Sequence, residues 1–231
     1  MKRNLIYPYM DYNAYGRQLT DEEIDDGQHR EFVGALWEKM GQLQFEYLLS
    51  QGLKPEHRLL DLGCGALRGG LHFIRHLQPR NYTGVDANAS LLKAGKLELE
   101  RSGLSCKRSD LVQEAEFRAE AWGGGFDFVL SISLLTHLPA TLVRRCFFAV
   151  SESLAPQGSY HASFFEAPSA DLPGPLTHSP GNINSFANCD PYHQSRLQME
   201  DFAKEAGLVP ISCGEWNHPR GQRMIVFGKQ P

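Results

Sequence analysis

The chain has 231 residues, of which 42% are hydrophobic and 22% are charged. These values are typical of a globular protein that folds as one large domain, or as one domain with a small addition. The formal net charge of −4, with no long basic run, argues against a large nucleic-acid-binding surface. We find no signal peptide and no run of the roughly 18 apolar residues that span a bilayer. We therefore expect a cytoplasmic protein.

The cysteines predict neither a disulfide framework nor a zinc site. Their number is odd, they are widely spaced and none forms a CxxC pair; they are Cys64, Cys106, Cys146, Cys189 and Cys213. We expect most of them to be small buried side chains in a reducing compartment.

Short apolar runs typical of buried strands alternate with helical patterns from Arg58 onward. The predicted strands cover 58–63, 82–87, 105–110, 126–133 and 158–166. The predicted helices follow the first strand and cover 88–103, part of 111–122, and 139–156. This alternation with short connections predicts a doubly wound α/β fold, in which a mostly parallel sheet has helices on both faces.

The C-terminal part interrupts this alternation. Residues 167–195 are rich in proline and turn-forming residues, which predicts a long insertion that covers the substrate site. A helix over 198–208 follows. Two strands joined by a tight turn must then be antiparallel, over 209–216 and 222–229. His218 and Arg220 in this turn either shape it, which we prefer, or line an acceptor pocket if the hairpin folds back.

Residues 1–57 are predicted to form an N-terminal helical cap over a domain at 58–231. The segment from Thr20 to Glu23 has the form of a capping box. A helix over 28–50 would present one apolar face, made of Phe32, Leu36, Met40, Leu43 and Tyr47. The Tyr-rich segment at 7–16 completes this predicted lid, and its aromatic rings suit contact with a bound cation.

The segment LLDLGCGALRGG at 59–70 places a glycine-rich turn directly after the first strand. Such turns commonly hold a dinucleotide through the fingerprint GxGxxG. Counted from Gly63, however, Arg68 stands where the third glycine is required. Asp61 also ends the strand with a carboxylate that would repel a pyrophosphate. Both residues argue against a dinucleotide.

The same residues resemble motif I of the class I S-adenosyl-L-methionine (SAM)-dependent methyltransferases, D/E-x-G-x-G-x-G. The match runs from Asp61 to Ala66, with Leu67 in place of the last glycine. Further segments resemble later family motifs in the same order, namely GVDAN, RSDL, FDFVLSISLLTHLP and LAPQGSYHASFF. The resemblance covers about 58–229. It implies a Rossmann-like, seven-stranded sheet whose last strand is antiparallel, with SAM as cofactor and S-adenosyl-L-homocysteine (SAH) as product.

The resemblance also implies the cofactor-binding residues. Asp61 would serve the methionine end of SAM, Asp86 would accept the ribose hydroxyls, and Asp110 would lie near the adenine amino group. Arg68 either holds the SAM carboxylate or a substrate acid, or is a surface arginine. The full predicted set is Asp61, Gly63, Cys64, Gly65, Arg68, Asp86, Ala87, Asp110, Leu111 and Ser131.

On the acceptor side, His137 follows the fourth strand and is the candidate catalytic residue. It acts as a general base, orients the acceptor, or only caps the helix that follows. The candidate substrate-binding residues are Tyr15, His161, His178 and His193. Three residues of the insertion are suited to ligate a metal, but their spacing does not require one, and we predict no metal site; they are Asn184, Asp190 and His193.

We therefore expect methyl transfer from SAM to a small-molecule acceptor, with oxygen favoured on family grounds. The alternatives are an NAD(P)-dependent oxidoreductase, which Asp61 and Arg68 disfavour, and a SAM-binding module without catalysis. No nucleic-acid or membrane partner is expected. The sequence is compatible with a monomer or a homodimer.

Overall fold

A computed structural model describes residues 14–169, 172 and 174–229. Ten strands occur in the described residues: β1 (Leu59–Leu62), β2 (Tyr82–Asp86), β3 (Asp110–Gln113), β4 (Phe126–Ser131), β5 (Leu154–Ala167), β6 (Leu176–His178), β7 (Ile183–Ser185), β8 (His193–Ser195), β9 (Leu208–Gly214) and β10 (Arg223–Lys229). The first part of the Tyr-rich segment of the predicted lid, residues 7–13, lies outside the described residues.

The α-helices of the described residues are α1 (Asp21–Asp25), α2 (His29–Phe32), α3 (Trp37–Ser50), α4 (Gly70–His76), α5 (Ala89–Arg101), α6 (Ala140–Ser153) and α7 (Arg196–Glu205). Asn88 caps α5, because its side-chain oxygen accepts from the backbone N–H groups of Ser90 and Leu91. None of the helices in the described part of the chain is long and apolar enough to cross a lipid bilayer.

The central sheet has the order β3-β2-β1-β4-β5-β10-β9, and the short β8 pairs with the end of β5. The five strands from β3 to β5 are parallel, whereas β10 is antiparallel to both of its neighbours. The predicted α/β fold with a mostly parallel sheet and a reversed last strand is confirmed. The predicted insertion contributes β8, and also a hairpin of β6 and β7.

Helices cover both faces of the sheet because its central strands are apolar on both sides. In β10, Ile225 and Phe227 pack into the core on the α6 and α7 face, while Met224 and Val226 pack into the opposite core with α3 and α4. Strands β1 and β4 divide their side chains between the same two cores. Helix α3 thus shares a core with the sheet. The domain boundary at residue 57 stays a prediction.

The predicted single helix over 28–50 is wrong. The chain forms α2 and α3 with a turn between them, in which Gly34, Ala35 and Leu36 all have positive φ, at 88°, 53° and 51°. A right-handed helix cannot run through such residues. Leu36 consequently leaves the predicted apolar face and is 44% exposed. Hereafter we call residues 33–36 the cap turn.

Buried polar contacts attach the N-terminal segment to α5. The carboxylate of Glu98 accepts from Nε and Nη2 of Arg30, at 2.8 and 2.9 Å, and lies 2.8 Å from Nε2 of His29. The side-chain amide of Asn88 donates to the backbone carbonyls of Tyr15 and Arg17, both at 2.8 Å. The segment therefore lies directly over the loop between β2 and α5.

The third strand also differs from its prediction at 105–110. Residues Ser105–Lys107 form a 3₁₀ turn, and β3 begins at Asp110 rather than ending there. Its register pairs Asp110 with Thr83 and Gln113 with Asp86. Asp110 therefore lies at the amino end of β3, at the sheet edge opposite to the carboxyl ends of the parallel strands.

Candidate cofactor and acceptor site

A cavity lies at the carboxyl ends of β1, β2 and β4, beneath the N-terminal segment. It contains about 1050 Å³ of empty space, part of which is open to solvent. Nine of the predicted site residues line it: Tyr15, Asp61, Gly63, Cys64, Gly65, Arg68, Asp86, Ala87 and His137. Ligands of open α/β sheets bind at this edge, so the cavity is the candidate functional site.

The glycine turn is held against the end of β2. The N–H of Gly63 donates to the carbonyl of Val85 at 2.8 Å, and the N–H of Gly65 donates to Oδ2 of Asp86 at 2.9 Å. Gly65 has φ of 54°, a conformation that side chains disfavour. A Cβ on Gly69 would lie 2.0 Å from Oε1 of Gln44, so this glycine allows α3 to approach the turn.

Asp61 is a buried carboxylate at the end of β1, only 5% exposed. Its Oδ2 accepts from the hydroxyl of Tyr82 at 2.7 Å. Burial raises the pKa of Asp61 to about 6, although the Tyr82 hydrogen bond opposes the rise. The carboxylate is therefore charged at neutral pH but poorly solvated, which suits a ligand that brings a positive group.

Asp86 orders the loop after β2 through both of its oxygens. Oδ1 accepts from the N–H of Asn88 at 2.8 Å, and Oδ2 accepts from Gly65. Burial raises the pKa of this carboxyl, and the backbone hydrogen bonds limit the rise. Each carboxylate oxygen has a second lone pair, so the group can still accept from a ligand hydroxyl. The thiol of Cys64 is inert, because burial raises its pKa well above the usual value.

Glu114, and not Asp110, supplies the acid beyond β3. Glu114 directly follows the strand, lines the cavity and accepts from Arg118 Nε at 2.8 Å. Asp110 is exposed and Leu111 packs against the core, and neither lines the cavity. The sequence placed them wrongly because it began and ended the strand too early.

Arg68 is partly buried beside the cap turn rather than fully at the surface. Its Nη1 donates to the carbonyl oxygens of Val33 and Ala35, at 2.8 and 3.1 Å. Burial lowers the pKa of this guanidinium to about 10, and the nearby charge of Arg220 also lowers it. The group remains charged at neutral pH.

His137 ends a 3₁₀ turn after β4, whereas Asp86 ends β2, and these two strands lie on either side of β1. Its Nδ1 lies 2.6 Å from Oδ1 of Asp190, in the insertion. An ionised carboxylate only accepts, so Nδ1 carries the proton and the lone pair of the neutral ring is on Nε2. The ring of Tyr15 meets the imidazole edge-on, with 4.7 Å between centroids. No sequence pattern indicated this partnership between His137 and Asp190.

Four other predicted residues do not line the cavity. Ser131 Oγ bonds to Tyr160 in the core at 2.8 Å, and Ser133 lines the cavity in its place. His161 lies between Tyr47 and Ser159, and burial lowers its pKa to about 4. His178 on β6 and His193 on β8 both form a hydrogen bond with the hydroxyl of the buried Ser185.

The three residues of the insertion that are suited to ligate a metal do not lie around a common point. Asp190 pairs with His137, His193 bonds to Ser185, and Asn184 Oδ1 accepts from Thr177. Within the described part of the chain, no group of three or more His, Cys, Asp or Glu side chains is placed to hold a metal ion.

The strand order, the reversed β10 and the glycine turn after β1 are those of the class I methyltransferase fold, and this chain has that fold. Residues 60–160 match the family model described as "Methyltransferase domain". Over these residues, which are less than half of the chain, the sequence is similar to methyltransferase domains.

Particular relatives were found by sequence and by structure. A ubiquinone biosynthesis O-methyltransferase of Pseudomonas aeruginosa is 32% identical over 91 residues, which are 38% of this chain and 38% of that protein. The matched part thus spans well under half of that relative. Magnesium protoporphyrin IX methyltransferase from Synechocystis PCC 6803, with bound SAM, has a TM-score of 0.63 at 12% identity, covering 94% of this chain and 88% of its own. A SAM-dependent methyltransferase from Clostridium acetobutylicum has a TM-score of 0.67 at 11% identity, covering 92% of this chain and 100% of its own.

Proposed function

We propose that this chain transfers the methyl group of SAM to a small-molecule acceptor, with oxygen as the expected acceptor atom. One observation carries the proposal: a single cavity is lined by Asp61 and Asp86 at the ends of β1 and β2, and by His137, paired with Asp190, after β4. The relative from Pseudomonas aeruginosa is named an O-methyltransferase, which supports oxygen as the acceptor.

The residues around the glycine turn and the neighbouring strand ends fit SAM better than a dinucleotide. Three carboxylates line the cavity there, those of Asp61, Asp86 and Glu114. Carboxylates repel a pyrophosphate, whereas they attract the ammonium group and accept from the ribose hydroxyls of SAM. We propose that Asp61 serves the ammonium end and Asp86 the ribose. When bound, SAM supplies a methyl group made electrophilic by the positive sulfur.

On the acceptor side the chain supplies orientation and a base. Asp190 fixes the tautomer of His137, so that Nε2 is the ring atom able to take a proton from an acceptor hydroxyl. Asp190 is thus a positioning residue. The N-terminal segment covers part of the cavity through Tyr15 and Val33, and the exclusion of water there favours transfer to the acceptor. We also propose that the protein is cytoplasmic and that it has no nucleic-acid or membrane partner.

Calorimetry and a transfer assay test this function. The protein is titrated separately with SAM, SAH and NAD, then incubated with methyl-labelled SAM and a panel of phenols, carboxylic acids, amines and thiols, with bulk protein as a macromolecular control. We expect SAM and SAH to bind, NAD not to bind, and label to appear on a small molecule. NAD binding without SAM binding, or SAM binding with no transfer to any acceptor, would contradict the proposal.

The assignment of the ribose site makes a separate prediction. Asp86→Asn removes a charged acceptor from the cavity and is expected to weaken SAM binding by roughly 1–3 kcal/mol. Asp110→Asn is the matched control, because Asp110 is an exposed aspartate outside the cavity, and it is expected to bind SAM as the wild type does. Both affinities are measured by calorimetry. Unchanged affinity in Asp86→Asn would show that the ribose lies elsewhere.

A further inference from the structure

Two arginine side chains meet at the cap turn. Arg68 donates to the carbonyls of Val33 and Ala35, and Nη2 of Arg220 donates to the carbonyl of Gly34 at 2.6 Å. The two guanidinium groups therefore hold three consecutive carbonyls and lie close together. Arg220 belongs to the turn before β10, so the C-terminal hairpin contacts the cap turn, although neither His218 nor Arg220 is among the residues that line the cavity.

No carboxylate neutralises this pair within the described residues. Neither Arg68 nor Arg220 has an Asp or Glu oxygen within 4.0 Å in the part of the chain that the structure describes. Carbonyl oxygens accept hydrogen bonds but carry no net charge. Elsewhere in the structure, the partly buried Arg30 and Arg223 are paired with glutamates. Two adjacent, partly buried cations without an acid favour the binding of an anion.

The groups near the pair form no ion pair with it. Nδ1 of His218 accepts from the backbone N–H of Arg220 at 3.2 Å. Burial, together with the charges of Arg220 and Arg68, lowers the pKa of His218 to about 3, so this ring is neutral. Asp61 is an acid whose charge raises the pKa of Arg68, but its carboxylate accepts from Tyr82 and forms no ion pair with the guanidinium.

Arg68 brings the pair to the cavity, whereas Arg220 lies beside it at the cap turn and is not a lining residue. Arg68, Tyr15 and His137 all line the cavity, and the Tyr15 ring contacts His137. Burial raises the pKa of the Tyr15 hydroxyl, and the charges of Arg220 and Arg68 oppose the rise, so Tyr15 lies close to both arginines. Tyr15 thus stands between the arginine pair and the His137–Asp190 pair.

We propose that Arg68 and Arg220 together bind an anionic group, a carboxylate or a phosphate, carried by the methyl acceptor. This rests on the proposed function. The acceptor atom would lie at His137 while the anionic group of the same molecule lies at the guanidinium pair. A planar guanidinium matches two oxygens of such a group, which fixes the orientation of the acceptor as well as its affinity. The carboxylate of SAM has the same chemistry, and the experiment separates the two sources.

Benzoate and benzamide are the probes, because they have nearly the same shape and differ in charge. Protein saturated with SAH is titrated with each by calorimetry. We expect the wild type to bind benzoate about tenfold more tightly than benzamide, the scale of one charge-assisted hydrogen bond. Arg220→Gln is expected to lose this preference without a change in SAH or benzamide affinity. Equal binding of the two probes by the wild type, or a preference retained in Arg220→Gln, would overturn the proposal.

Two comparisons complete the test. Arg220→Lys keeps the charge but not the fork, and is expected to keep part of the preference; Arg75→Gln changes an exposed arginine of α4 and is expected to keep all of it. The titrations are repeated without SAH. A benzoate preference that SAH abolishes would assign the pair to the cofactor's own carboxylate and overturn the acceptor site. Failure to bind SAH would contradict the proposed function alone, since benzoate binding by the ligand-free protein still reports the anion site.

Discussion

Replacing His137 with alanine is expected to lower kcat by about 10²–10⁴-fold, while SAM affinity stays within about twofold of the wild type. The expectation follows from its position in the cavity after β4, whereas Asp61 and Asp86 lie at the ends of β1 and β2. The tautomer set by Asp190 makes Nε2 the atom that takes a proton. Removal of the ring removes this base but none of the groups proposed to hold SAM.

A second variant distinguishes a base from a residue that only supports the fold. Asp190→Asn removes the carboxylate that fixes the tautomer but leaves the imidazole in place, so kcat should fall by a smaller factor than in His137→Ala. Both variants are assayed with the best acceptor of the panel.

The opposite pattern would reassign the residue. If His137→Ala loses SAM affinity while retaining kcat at saturation, His137 contacts the cofactor and is not the base. If the variant also melts at a lower temperature, the structural alternative of a helix-capping histidine gains support. Asp190→Asn then separates the two, because it leaves the imidazole in place.

The cofactor side of the site was predictable because its residues are close in sequence to the strands that place them. Asp61 and Gly65 surround the end of β1, and Asp86 ends β2, so identifying the two strands placed all three at one sheet edge. The hydrogen bond from Gly65 to Asp86 follows from the parallel pairing of β1 and β2. Local patterns therefore located these residues without tertiary information.

Asp110 shows where local patterns failed. The segment RSDL contains an acid after a weak apolar run, and the strand was expected to end there. The strand β3 instead starts at this acid, and its partly exposed residues gave little alternation to define its ends. A shift of four residues moves the acid at the cavity from Asp110 to Glu114, because the carboxyl end of a parallel strand, and not its amino end, reaches the cavity.

The acceptor side was not predictable because its contacts join distant parts of the chain. His137 and Asp190 are 53 positions apart, Arg68 and Val33 are 35 apart, and Arg220 and Gly34 are 186 apart. The cap turn itself depends on three consecutive residues with positive φ, two of which are not glycine. The spacing of apolar residues does not encode such a turn, so the predicted helix continued across it. Long-range packing against Arg68 and Arg220 holds the turn in this conformation.

Asp61→Asn is expected to stabilise the ligand-free protein and to weaken its binding of SAM. Burial raises the pKa of Asp61 from an ordinary value near 3.8 to about 6. Between these values the folded protein binds the proton that the unfolded chain has released, so stability falls as the pH rises through this window and stays lower above it. Asparagine carries no charge to bury. At neutral pH the variant should therefore gain roughly 1–3 kcal/mol in the free energy of unfolding.

Urea unfolding at pH 4 and pH 7.5, together with SAM calorimetry at pH 7.5, measures both effects. The wild type should lose stability between the two pH values relative to Asp61→Asn, and the variant should bind SAM at least about tenfold more weakly, because the carboxylate proposed for the ammonium group is gone. Asp201→Asn alters an exposed aspartate of α7 and should change neither quantity. A variant less stable than the wild type at pH 7.5, with unchanged SAM affinity, would mean that the buried charge of Asp61 supports the fold. The opposite result would mean that the protein retains an unfavourable buried carboxylate because the cofactor requires its charge.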